Sequence, residues 1–130
     1  MKSKSIVTFI TILLISLLFS NNMAAQSSNN YMRIAKIVVD SKQLEPYLKA
    51  LKEQMKAALK LEKKSVLSYT AVYDKDKPTH ITILETYANV IAYQNHTQTP
   101  HFKKYKATVE NMVKSLELIE VEPIAIGTKK

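Results

Sequence analysis

Apolar residues recur along this chain with two different periods, and the alternation between them predicts its elements. Met32 to Val39 is rich in Ile and Val and reads as a strand. From Leu44 to Leu61 the apolar positions are Leu44, Leu48, Leu51, Met55, Ala58 and Leu59, one stripe of a 3.6-residue helix, with Lys49, Lys52, Lys56 and Lys60 on the opposite face. Asp40-Ser41 can cap this helix, and Pro46 falls in its first turn, where a missing N–H costs little. Val66 to Asp74 alternates as a strand does, with Leu67, Tyr69, Ala71 and Tyr73 on one side and Val66, Ser68, Thr70 and Val72 on the other. Asp74 to Pro78 is a turn, and His80 to Tyr87 is the returning strand.

Two further helices follow. Asn89 caps a short one, Val90 to His96. Thr99-Pro100 opens the other, with Thr as cap and Pro at the first helical position. Its stripe of Phe102, Tyr105, Val109, Met112 and Val113 carries it to about Lys114. Leu116 to Glu122 alternates again as a final strand, ended by Pro123. The order is β-α-β-β-α-β with a split second helical segment, an α+β fold of the ferredoxin-like type. Four strands with helices on one face leave the other face bare. Ile81 and Ile83 lie on one side of their strand and Leu84 on the other, so both faces carry apolar residues. A second subunit covering the free face, a homodimer, is the expected solution.

Residues 1–25 read as a leader. Lys2 and Lys4 precede an apolar run from Ile6 to Phe19, broken only by Thr8, Thr11 and Ser16, and Met23-Ala24-Ala25 supplies small residues for cleavage. The expectation is an exported bacterial protein, periplasmic or secreted, with no stable membrane anchor after cleavage. Residues 26–30 are then a polar tail, and 31–126 one domain. The chain has no Cys, which excludes disulfides, thiol nucleophiles and Cys-ligated metal or haem. A single Gly, Gly127, excludes a glycine-rich phosphate loop. The formal charge of +8 raises the question of nucleic acid. The lysines are spread over helix faces, however, and Arg33 is the only arginine, so a solvated basic surface is expected and nucleic-acid binding is not.

The succession from Val66 to Asp74, His80 to Tyr87 with Glu85-Thr86-Tyr87 at its end, then Tyr93, His96 and Thr99-Pro100-His101-Phe102-Lys103-Lys104-Tyr105, resembles the antibiotic biosynthesis monooxygenase domain, and within it the quinol monooxygenases. The resemblance runs from about Met32 to Pro123. Where relatives usually have a Pro-Gly turn before the second strand, this chain has Lys63-Lys64-Ser65. The resemblance implies a dimeric α+β barrel with a pocket between sheet and helices. It also implies cofactor-free oxygenation of a quinol or related phenolic aromatic with O2. Other members have no established activity, and the alternative for this chain is a non-catalytic ligand-binding or stress-associated dimer on the same scaffold. A haem-degrading branch has its haem-binding His where Lys106 stands here, and uses a Trp this chain lacks.

Oxygenation without a cofactor needs a base and a dry pocket. His101, in the first turn of a helix whose dipole disfavours the imidazolium, is the first candidate, and His96 the second. Glu85 shares a strand face with Ile81, Ile83 and Tyr87, as either a proton-handling carboxyl or an anchor. Tyr69, Tyr73, Tyr87 and Tyr47 are candidates to contact an aromatic substrate, with core or dimer packing as the alternative. No metal is expected: His96 and His101 do not share a helix face, and Glu85 is the only evident third ligand.

Overall fold

The computed structural model describes residues 30–129. The leader and residues 26–29 of the polar tail lie outside the described residues. The elements are β1 (Tyr31–Val39), a 3-10 turn (Ser41–Gln43), α1 (Leu44–Leu61), β2 (Val66–Tyr73), β3 (His80–Tyr87), α2 (Val90–His96), α3 (Pro100–Val109) and β4 (Val113–Val121). The sheet order is β2-β3-β1-β4, and every pair is antiparallel. This is the expected α+β ferredoxin-like fold. Among the described residues no helix is long and apolar enough to cross a membrane.

The helices cover one face of the sheet. Ala35, Ile37 and Val39 of β1 and Ile81 and Ile83 of β3 meet Tyr47 and Leu51 of α1 and Val109 of α3 in the main core. Apolar side chains packed this way are the main source of stability in a chain without disulfides. A second cluster, Ala58, Val66, Tyr87 and Ala92, joins the end of α1 to α2. On the opposite face Val72 and Leu84 are exposed, and Ile34, Val38 and Ile119 are partly so.

Three boundaries depart from the expectation, each for a local reason. Asp40 caps the 3-10 turn rather than α1: its carboxylate accepts from the Lys42 backbone N–H at 2.9 Å. The last helix stops at Val109, where β4 must begin at Val113 to pair with Val39. In β2 the ladder shifts register between Val66 and Ser68. The shift breaks the simple alternation. Val66, expected opposite Tyr69, instead pairs with Tyr87 and is buried beside it.

Thr99 contributes both side chain and backbone to the joint between α2 and α3. Thr99 Oγ1 donates to the His96 carbonyl at 2.7 Å and accepts from the Phe102 backbone N–H at 3.3 Å. One hydroxyl thereby caps α3 and ties it to the last residue of α2. Thr99→Ala is expected to lower stability by about 1 kcal/mol, read as a lower urea midpoint at unchanged slope.

Candidate functional site

Between the helix side of the sheet and α3 lies a cavity of about 480 Å³. That falls within the range of roughly 300–1,000 Å³ usual for small-molecule sites. Its walls are mostly apolar and aromatic: Ala35, Ile37 and Leu51, then Ile83, Phe102 and Tyr105. Lys106, Glu110, Leu116 and Leu118 also line it, and the two leucines are still half exposed on β4. The polar groups that the inner strands contribute form one line across the sheet. Register pairs Tyr69 of β2 with Glu85 of β3, and Glu85 with Arg33 of β1. All three side chains line the cavity.

Two of the expected site residues, Tyr69 and Glu85, therefore face the cavity. Tyr87 sits behind Glu85, fully buried, and donates its hydroxyl hydrogen bond to Glu85 Oε2 at 2.8 Å. Tyr47 is also fully buried. Its hydroxyl is 2.8 Å from that of Tyr105, and only Tyr105 reaches the cavity. Tyr73 is exposed and lies outside the site. Burial raises the pKa of Tyr69, Tyr87 and Tyr105, with the Glu85 charge adding to the rise in Tyr69 and Tyr87 and the neighbouring Tyr47 adding to it in Tyr105. Burial likewise raises Tyr47. These phenols stay protonated, and in the Tyr47–Tyr105 pair one hydroxyl donates and the other accepts.

The two histidines do not line the cavity. His96 is 1% exposed. Phe102 and Tyr87 pack against its ring, at centroid distances of 4.9 and 5.3 Å. Its Nδ1 lies 2.8 Å from Glu62 Oε2, and His101 Nε2 lies 2.7 Å from the same oxygen. The carboxylate can only accept, so each ring turns an N–H toward it. In the neutral ring of His96 this leaves Nε2 bare, and Nε2 faces the Tyr69 hydroxyl at 3.5 Å. A continuous path thus runs from the cavity through Tyr69 to His96 and Glu62, with His101 on its far side.

Glu62 was not among the residues the sequence singled out. It follows a lysine-bearing helix and reads there as one more surface charge, while its partners lie 34 and 39 residues away. Glu62 also replaces Glu85 as the third member of the histidine cluster, whose donor atoms lie within 4.8 Å of one another. Two imidazoles and a carboxylate are a ligand set for a divalent cation. Bonds of about 2.0–2.2 Å would, however, hold the ligand atoms roughly 3.3 Å apart. Here both ring nitrogens sit at hydrogen-bond distance from one oxygen, so the trio as placed is a hydrogen-bonded cluster. Arg33, Tyr93, Phe102 and Tyr105 were also missed as cavity residues. Arg33 gave the one available signal, as the only arginine in a lysine-rich chain.

An alkaline titration followed at 295 nm should show Tyr47, Tyr69, Tyr87 and Tyr105 ionising above the ordinary value of 10.0. A phenol whose pKa is raised by folding adds stability that is fully present below pH 10 and is lost as pH climbs beyond it. Tyr69→Phe should flatten that alkaline loss, measured as unfolding free energy between pH 9 and 11.

A sequence model described as antibiotic biosynthesis monooxygenase matches residues 30–108. A crystal structure of a protein assigned as an antibiotic biosynthesis monooxygenase from Bacteroides thetaiotaomicron is 45% identical, with a TM-score of 0.74, and the match covers 78% of this chain and 96% of that one. A protein assigned as a monooxygenase from Lactobacillus acidophilus is 31% identical at a TM-score of 0.68, over 70% of this chain but only 43% of that longer one. A third, from Caulobacter crescentus, shares the fold at 17% identity and a TM-score of 0.68, covering 81% of this chain and 99% of its own. No curated protein matches the chain.

Proposed function

Because this chain belongs to the antibiotic biosynthesis monooxygenase family, we propose that it is a cofactor-independent monooxygenase that oxidises a quinol or related phenol with O2 in the cavity beneath α3. The observation that carries this reading is the position of Tyr69. Tyr69 is part of the cavity wall, and its hydroxyl is the neighbour of the buried, Glu62-bound His96.

The chemistry starts with a proton. A phenolic substrate against Tyr69 passes its proton to the tyrosine oxygen as Tyr69 passes its own to His96 Nε2. Glu62 holds His96 in the tautomer that can accept and stabilises the imidazolium that results. Tyr69 itself is never a free phenolate, in keeping with its raised pKa. The distance of 3.5 Å is long for this transfer, and such contacts commonly shorten when substrate is bound. The electron-rich substrate anion reduces O2 by one electron, and the apolar walls keep the radical pair together until it joins at carbon. Loss of water from the resulting hydroperoxide gives the quinone. One oxygen atom ends in the product and one in water, and the substrate supplies all four electrons.

In this reading His96 is the proton acceptor behind Tyr69, and His101, whose ring N–H donates to Glu62, positions that carboxylate. O2 uptake by metal-stripped protein on hydroquinones, naphthohydroquinones and anthrones, each against its own autoxidation blank, is the test. Uptake above blank should survive chelator. It should fall by about 100-fold or more in Tyr69→Phe and in His96→Asn, and by less in His101→Ala. Full activity in both of the first two variants would place the proton path elsewhere. Binding without any uptake would assign the scaffold to ligand binding instead.

The proposal extends to assembly and location. Two copies pack through the sheet face that leaves Val72 and Leu84 exposed, as an unpartnered apolar face requires. Leu84→Glu should then convert a dimer to a monomer by light scattering. Export rests on the leader between Lys2 and Ala25.

A further inference from the structure

We propose that the ligand of this cavity carries an anionic group, a carboxylate, beside its phenolic ring, and that Arg33 receives it. The inference rests on the cavity being the phenol site and adds the class of phenol. Arg33 lines the cavity, and its guanidinium carbon lies over the Tyr93 ring, 4.3 Å from the centroid. This contact with the ring face restrains the guanidinium and leaves its N–H groups free to meet a partner.

No such partner exists among the described residues. Arg33 Nε is buried without a hydrogen bond, and no carboxylate forms an ion pair with the side chain. This is not for want of acids. Glu85 and Glu120 stand directly opposite Arg33 on the two neighbouring strands, the positions from which cross-strand pairs normally form. Each is engaged elsewhere: Glu85 accepts from the Tyr87 hydroxyl at 2.8 Å and Glu120 from the Tyr31 hydroxyl at 3.2 Å. A half-buried guanidinium with an unpartnered Nε in a cavity wall is suited to a planar anion, which can accept two parallel N–H bonds.

Register fixes where that anion lies relative to the phenol. Tyr69, Glu85 and Arg33 form one line across three adjacent strands, so the backbones of Tyr69 and Arg33 are separated by roughly 10 Å. A ligand with its hydroxyl at Tyr69 and Glu85 and its carboxylate at Arg33 is therefore a hydroxylated aromatic acid of one or two rings. Its hydrogen-bond donor meets the carboxylate of the wall, and its anion meets the cation.

The test compares acids with their neutral parents under anaerobic conditions, so that binding is read without turnover. Hydroquinone is set against 2,5-dihydroxybenzoate, and 1,4-naphthohydroquinone against 1,4-dihydroxy-2-naphthoate, by calorimetric titration of the whole protein. At least one acid should bind tenfold or more tightly than its parent. Arg33→Gln should erase that advantage while leaving the parent's affinity within twofold, and Arg33→Lys should restore part of it. Circular dichroism of both variants guards against loss of fold. Equal affinity for acid and parent, no binding of either acid, or an equal loss for both ligands in Arg33→Gln would overturn the proposal. Failure of O2 uptake with acid binding intact would overturn the oxygenase reading and leave this one standing.

Discussion

One carboxylate oxygen holds the helical side of this protein together. Glu62 ends α1, its backbone carbonyl accepts from the N–H groups of Ser65 and Val66 at the start of β2, and its side chain accepts from the last residue of α2 and the second residue of α3. Four elements thus meet at one residue. A carboxylate that is 10% exposed must be fully hydrogen-bonded to be tolerated, and two imidazole N–H groups meet that demand. The same requirement selects the tautomer of His96, so a contact that locks the helices also decides which ring nitrogen looks toward the cavity.

The cavity follows from this arrangement. Apolar residues of β1, α1 and α3 form much of its wall, while the polar groups contributed by the sheet, Tyr69, Glu85 and Arg33, lie in a single cross-strand line whose order is set by antiparallel register. The buried hydroxyls of Tyr47, Tyr87 and Tyr105 find partners in one another or in Glu85. A low-dielectric interior strengthens such bonds and raises the cost of any phenolate. Tyr69 differs in having the cavity on one side and an imidazole on the other.

Most of the fold was legible in the sequence because it is written in local periodicity. The stripe through Leu44, Leu48, Leu51 and Met55, the Thr99-Pro100 start and the alternation around Ile81 and Ile83 are all short-range signals that the packing reinforces. The β2 bulge was not legible, since Val66 and Leu67 are equally apolar and only the partner strand decides which one turns inward. The candidate site was half legible. Glu85 and Tyr69 could be placed on one face by counting along strands. Glu62 could not, because its role depends on residues from two other helices brought together by tertiary packing. His96 and His101 stood out by residue type, but nothing in their spacing showed that one oxygen would hold them both or that α3 would keep them from the cavity.

The central place of β1 in the sheet carries a consequence for how the chain comes together. β1 is made first among the four strands and β4 last, yet they lie side by side. During synthesis β1 can pair on one edge with β3 but waits for the rest of the chain on the other. Such distant pairing slows folding and prolongs the life of an open strand edge. Because Leu116 and Leu118 come from β4, the cavity wall is completed by the last strand to arrive. An incomplete chain therefore has no finished binding chamber, and acquiring a ligand site and pairing the open edge of β1 become a single event.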